Sequence, residues 1–247
     1  MQYLLTGIET HLDFGFGITG ESYYHSAEYL LDNKKNIKAI SQVEMPIDFL
    51  YRHSIELFLK SLIITFHKQL ELPYGTEPYE STSPKILTGG NWRDLYTCHW
   101  VDELYNYWLN ELLLKHKVRL EELAPKGDWQ EYKEITDFFP LIAGYDRDSS
   151  FFRYPVTKNT SLDSKKFTMK RLDSNKLQNI FANNTDDRKN KDGARIFMLL
   201  KDDKDEIVDG FERNTNILTD ITQALREVSY YFYCIHIMTR MTLCNGF

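Results

Sequence analysis

"LYRHSIELFLKSLI", residues 50–63, has the pattern of a helix, yet it carries Arg52, His53, Glu56 and Lys60 among apolar neighbours. At about 100° per residue, these four side chains fall within one arc roughly 100° wide. The opposite side holds Leu50, Tyr51, Leu57, Phe58 and Leu62, an apolar face at helical spacing. Phe49, Leu59 and Ile63 share or border the polar arc, so the stripe does not face open water along its length. Such a cluster is either a buried ion-pair network or a site. Arg52 with Glu56, and Glu56 with Lys60, are both i,i+4 pairs able to satisfy one another on the helix.

Four further stretches have helical period. "ESYYHSAEYLLDNKKNI" follows "GFGITG", whose three glycines suggest a tight turn; it lacks both the dinucleotide-binding pattern and a P-loop lysine. The opening helix is expected to run from Pro46, a residue suited to the first helical position, to about Leu70. "CHWVDELYNYWLNELLLKHK" places Trp100, Leu104, Tyr107, Trp108 and Leu112 on one stripe, which reads as core. "DWQEYKEITDFFPLIA" offers Asp128 as N-cap and a stop near Pro140 and Gly144. "ILTDITQALREVSYYFYCIHIMTRMTL" closes the chain as a long, largely apolar helix, with His236 on its core or on a dimer face. Residues 71–92 read as a Pro/Gly/Ser/Thr-rich connection, long enough to be mobile or functional.

Residues 155–213 differ in character. "KKFTMKRL" reads as a strand, and "ARIFMLLKDDKDEIVDGF" as two strands around the turn "DDKD". Between them "LQNIFANNTDDRKNKDG" is polar apart from a short helical start. The expected fold is therefore mainly α: one domain over 1–247, a helical bundle with a small β-containing insertion at 155–213 before its last helix.

Composition narrows the function classes. With 16 Tyr and 15 Phe in 247 residues, the chain has ample material for a packed core. A net charge of −6 argues against nucleic-acid affinity spread over a basic surface. Two local basic patches, Lys165/Lys166/Lys170/Arg171 and Arg188/Lys189/Lys191/Arg195, read as solvated loop or strand edge. Cys98, Cys234 and Cys244 are too scattered for a disulfide scaffold, and the histidines lack metal-ligand spacing. No metal and no cofactor is expected. Without a signal-like N-terminus or an apolar run of the ~20 residues that span a bilayer, the expected setting is cytoplasmic, with no membrane partner.

The order of "YRHSIELFLKSLI", "CHWVDELY", "DRDSSFFRYPV" and a closing helix resembles the HEPN superfamily, and is similar to its bacterial branch with a YRHxxELxLKxLI helix and an FRYP motif. The likeness spans roughly residues 20–155 and the final helix. It implies an α-helical bundle, often a homodimer, acting in toxin–antitoxin or phage-defence systems. Many such proteins are metal-independent endoribonucleases; others are catalytically inactive modules that bind a nucleotide, RNA or a partner protein such as an antitoxin.

Active HEPN ribonucleases carry an Arg-x(4–6)-His motif. Histidine moves protons to and from the ribose 2′-OH or the leaving oxygen, while arginine grips the phosphate. Arg93 and His99, in "RDLYTCH", fit that spacing. Arg153, in "FRYP", has no histidine within six residues downstream. His53 is a second candidate acid–base group. In the site reading, Arg52, Lys60 and Arg153 bind phosphate. In the structural reading, Glu56 and Arg153 form an ion pair that clamps a loop to the helix, Pro155 restricting that loop.

Overall fold

The computed structural model describes residues 5–38, 44–173, 197–213 and 217–246. Its fold is mainly α. Helices α1 (Phe16–Asp32), α2 (Glu44–Gln69) and α7 (Thr219–Thr242) form the central layer. Against it lie α3 (Val101–Asn106), continuing as a π-helical stretch Tyr107–Leu114, then α4 (Lys117–Leu123) and α5 (Lys133–Asp146). The expected helix over 98–117 thus begins three residues later and changes pitch midway. No helix among the described residues is long and apolar enough to cross a membrane.

Helix α2 is the axis of the molecule. It packs on α1 and α7, and side chains on every side of it are buried, from Tyr51, Ile55, Phe58 and Leu62 to Arg52, Glu56 and Lys60. An unpaired buried charge is costly, and on this enclosed helix Arg52 and Lys60 both pair with Glu56. Trp108, Phe139 and Phe232 pack with Tyr105 to complete the aromatic side of the core.

The stretch "GFGITG" is not a turn but the start of α1. Gly15, at φ 82°, is the left-handed residue before the helix. Gly17 and Gly20 are buried within it, because a side chain there would collide with neighbouring helices: a Cβ on Gly17 would lie 2.0 Å from His236 Cε1, and one on Gly20 3.0 Å from the Phe58 ring. Glycine here permits close helix approach. Just before it, the buried Asp13 accepts from Gly15 N, Gly17 N and Ser61 Oγ, and pairs with Arg240 Nη2 at 2.5 Å. Burial would raise its carboxyl, but Arg240 and the Ser61 hydrogen bond outweigh that and hold it at about 2. One carboxylate thereby ties the α1 entry to α2 and α7. His236 is buried in the same place, with Nε2 3.3 Å from Glu21.

Residues 71–92 are not structureless. Strands β1 (Lys85–Thr88) and β2 (Asn91–Asp94) pair antiparallel around Gly89-Gly90, both at positive φ, the backbone that a two-residue hairpin turn requires. Asp128 does not cap α5, which starts at Lys133; its carboxylate accepts from the Tyr132 hydroxyl instead. Helix α5 also continues through Pro140 and Gly144 to Asp146, beyond the expected stop.

In the insertion, α6 (Thr160–Asp163) precedes β3 (Met169–Arg171), β4 (Phe197–Lys201) and β5 (Ile207–Arg213), an antiparallel sheet of order β3-β5-β4. The two strands around "DDKD" are β4 and β5. The strand expected over 165–172 shortens because Lys166 is drawn inward. Its ammonium donates to Asp163 at 2.7 Å and to the Tyr154 carbonyl at 2.9 Å, and lies 4.1 Å from the Phe151 ring centre. Lys166 is a buried anchor and no part of a solvated patch. The "LQNIFANNTDDRKNKDG" segment and the Arg188/Lys189/Lys191/Arg195 patch lie outside the described residues.

Gly17→Ala tests the close helix approach. Alanine in a helix interior ordinarily gains up to about 1 kcal/mol over glycine, but overpacking against His236 is expected to make the variant about 1–3 kcal/mol less stable. Urea denaturation reads the difference; a stabilised variant would show that the imidazole moves aside freely.

Candidate functional site

The helical repeat of α2 sets Arg52, Glu56 and Lys60 one turn apart, and two loops close over them. The first, residues 95–100 between β2 and α3, supplies two backbone carbonyls and the His99 imidazole. The second, at the C-terminal end of α5, supplies Asp146 and the Arg147 carbonyl. Glu56 sits at the centre. Its Oε2 takes Arg52 Nη1 at 2.5 Å, while Oε1 takes both Lys60 Nζ at 3.0 Å and His99 Nδ1 at 2.9 Å. Arg52 Nη2 donates to the carbonyls of His99 and Arg147, and its Nε lies 3.6 Å from Asp146 Oδ2. Lys60 gives a further hydrogen bond to the Tyr96 carbonyl at 3.0 Å.

Burial alone would raise the Glu56 carboxyl. The charges of Arg52 and Lys60, with hydrogen bonds from Lys60 and His99, outweigh it and hold the group at about 2. Asp146 goes the other way: burial raises it more than Arg52 and the backbone hydrogen bonds lower it. Its Oδ1 accepts from Phe151 N at 2.8 Å, which folds the turn leading into "FRYP".

The expected site residues separate into distinct places. Arg52 and Lys60, expected at a phosphate, are buried, and their donors are turned to carboxylates and carbonyls. The expected Glu56–Arg153 clamp is not formed. Arg153 is exposed, donates to Ser149 Oγ at 3.1 Å and lies over the Phe49 ring. Asp146 and the Arg147 carbonyl take the place it was expected to fill, on Arg52 rather than on Glu56. The loop is clamped to the helix, but by different groups.

His53 is stacked on Phe49 and edge-on to Tyr23. Its Nδ1 is buried with no hydrogen-bond partner. Burial lowers its proton affinity most; Glu56 opposes this, and the charges of Arg52, Lys60 and Arg153 add to the lowering. A half-buried ring wedged between aromatics is poorly placed to exchange protons with a ligand.

His99 has the opposite character. Its side chain is 46% exposed, while the Glu56 carboxylate that it touches is 1% exposed. An ionised carboxylate can only accept, so the Nδ1 that faces it carries the hydrogen. Beside it, Trp100 holds the Arg93 guanidinium carbon 5.1 Å from its ring centre and that of Arg147 at 5.6 Å. The structure therefore brings Arg93 to the residue next to His99 in the chain. Asp146, Arg147 and Trp100 escaped the sequence reading. Backbone carbonyls and cation–π partners leave no spacing signature.

Among the described residues, no group of three or more His, Cys, Asp or Glu is arranged to hold a metal ion. His67, for example, has Nδ1 on the Leu72 carbonyl and Nε2 on the Tyr107 hydroxyl. No family model matches the chain, and neither the curated proteins nor the solved structures contain a match.

Glu56→Gln leaves two buried cations without their anion and is expected to cost about 3–5 kcal/mol at pH 7. The folded carboxyl, at about 2, lies below its ordinary 4.5, so the ionised form stabilises the fold fully above pH 4.5 and loses that contribution as pH falls towards 2. Asp13 titrates over part of the same window. The clean measurement is the stability difference between wild type and Glu56→Gln by denaturant titration. It is expected to shrink by roughly 3 kcal/mol between pH 7 and pH 2; a constant difference would refute the assignment.

Proposed function

We propose that the protein is an RNA-directed, HEPN-like effector that cleaves RNA without a metal, with His99 as its acid–base group. The observation that carries this reading is the 2.9 Å contact between the buried Glu56 carboxylate and Nδ1 of the half-exposed His99. A carboxylate in that position fixes the imidazole's tautomer and orientation and stabilises the imidazolium that forms during reaction.

The chemistry follows from the free Nε2. It takes the proton from a ribose 2′-OH, whose oxygen attacks the adjacent phosphorus. The bond to the 5′ oxygen breaks, the proton returns to that leaving oxygen, and the products are a 2′,3′-cyclic phosphate and a 5′-hydroxyl end. Arg93 supplies positive charge to the phosphate oxygens as they develop negative charge. His53 and Arg153 stand outside this scheme. From the resemblance we take the setting: a cytoplasmic homodimer in a toxin or phage-defence system, held in check by an antitoxin or other defence partner.

A second reading has its own observation. Arg52 and Lys60 are engaged with Glu56, Asp146 and backbone carbonyls, which is how a purely architectural clamp would look. On that reading the protein is a catalytically silent HEPN-like module that binds a nucleotide, RNA or a partner protein.

Cleavage of single-stranded RNA in EDTA separates the two. Wild type is expected to cut, and folded His99→Ala to lose about 10²–10⁴-fold in rate. Arg93→Ala is expected to fall substantially, while His53→Ala and Arg153→Ala stay near wild type. If no variant cuts and His99→Ala only lowers the melting temperature, the silent module is the correct reading.

A further inference from the structure

An arginine on a hairpin strand has a long, freely rotating side chain, and a phosphate ligand gains from having it held in advance. Arg93 lies on β2, exposed, in register with Ile86 of β1. What orders it is the ring of Trp100, which also carries Arg147. The two guanidinium groups are in different electrostatic states. Arg147 is neutralised by Asp102 and Glu103, each at 3.0 Å, and its carbonyl accepts from Arg52 Nη2 at 3.3 Å. It is bound on three sides and belongs to the scaffold. Arg93 is held by a π face, and a cation held that way keeps its charge and its N–H donors for another ligand.

The backbone fixes where this happens. Arg52 Nη2 donates to the carbonyls of both His99 and Arg147, so Trp100 is bracketed by two segments anchored to one buried side chain. We infer that Trp100 is a positioning residue: its ring, braced by Arg147, holds the Arg93 guanidinium beside His99 so that one phosphate meets both groups. This rests on the ribonuclease reading above and adds to it the residue that assembles the site. Arg93 acts on substrate; Trp100 acts through Arg93.

The test is a double-mutant cycle on RNA cleavage in EDTA, with Trp100→Leu, Trp100→Phe, Arg93→Ala and Trp100→Leu/Arg93→Ala. Trp100→Leu is expected to lose about tenfold in kcat/KM, Trp100→Phe to recover most of it by restoring a π face, and the double variant to be no slower than Arg93→Ala alone. The pH dependence of the rate, set at His99, is expected to match wild type in all four. Should Trp100→Leu not fold, Trp100→Met takes its place in the cycle, since it fills space without a π face. Fully additive losses, or a Trp100→Leu as fast as wild type, overturn the inference while leaving the ribonuclease reading intact. A wild type that cuts no RNA overturns both.

Discussion

Glu56 is the charge around which the protein is organised. It is enclosed in the middle of a helix that is itself enclosed, and a lone carboxylate there would be untenable. Arg52 and Lys60, one turn to either side, make it tenable and become buried charges in turn. Their remaining donors turn to backbone carbonyls from the two covering loops, and Arg52 Nε faces the Asp146 carboxylate. The hydrogen bonds from Arg52 and Lys60 thus tie the loops after β2 and α5 to α2. The second buried carboxylate, Asp13, does the same for the entry to α1 and the end of α7.

The candidate site is a consequence of that arrangement. With the 95–100 loop pinned to Arg52 and Lys60, the His99 imidazole meets Glu56. The imidazole ends half in solvent, tied to a carboxylate that has no freedom to move. Next to it in the chain, the Trp100 ring holds the Arg93 guanidinium. The groups that look most suited to phosphate in the sequence, Arg52 and Lys60, are consumed in building the support. What is left facing outward is smaller: one histidine, one π-held arginine and the ring between them.

Of the two residues that the HEPN resemblance singles out by their spacing, Arg93 lies on the Trp100 ring and His99 on the Glu56 carboxylate. Arg153, which the motif reading drew into the cluster, lies instead by Ser149 and Phe49.

The sequence by itself determined what rests on neighbours one helical turn apart or on strand alternation. It determined α2 and its two i,i+4 ion pairs, the apolar stripe around Trp108, the closing helix and the hairpin around "DDKD". These are local, and residue identity at a fixed spacing suffices for them. It misjudged Gly17 and Gly20, because glycine reads the same whether it serves a turn or lets His236 and Phe58 come close. It missed the β1–β2 hairpin, whose strands are short and whose pairing depends on the Gly89-Gly90 turn. Which side chain would reach Glu56 from outside the helix was decided only by the tertiary structure. Asp146, the carbonyls of Tyr96, His99 and Arg147, and the Trp100 ring come from segments some 40 to 95 residues away. Their partners are backbone atoms and a π face, which every sequence contains in quantity and which only packing selects.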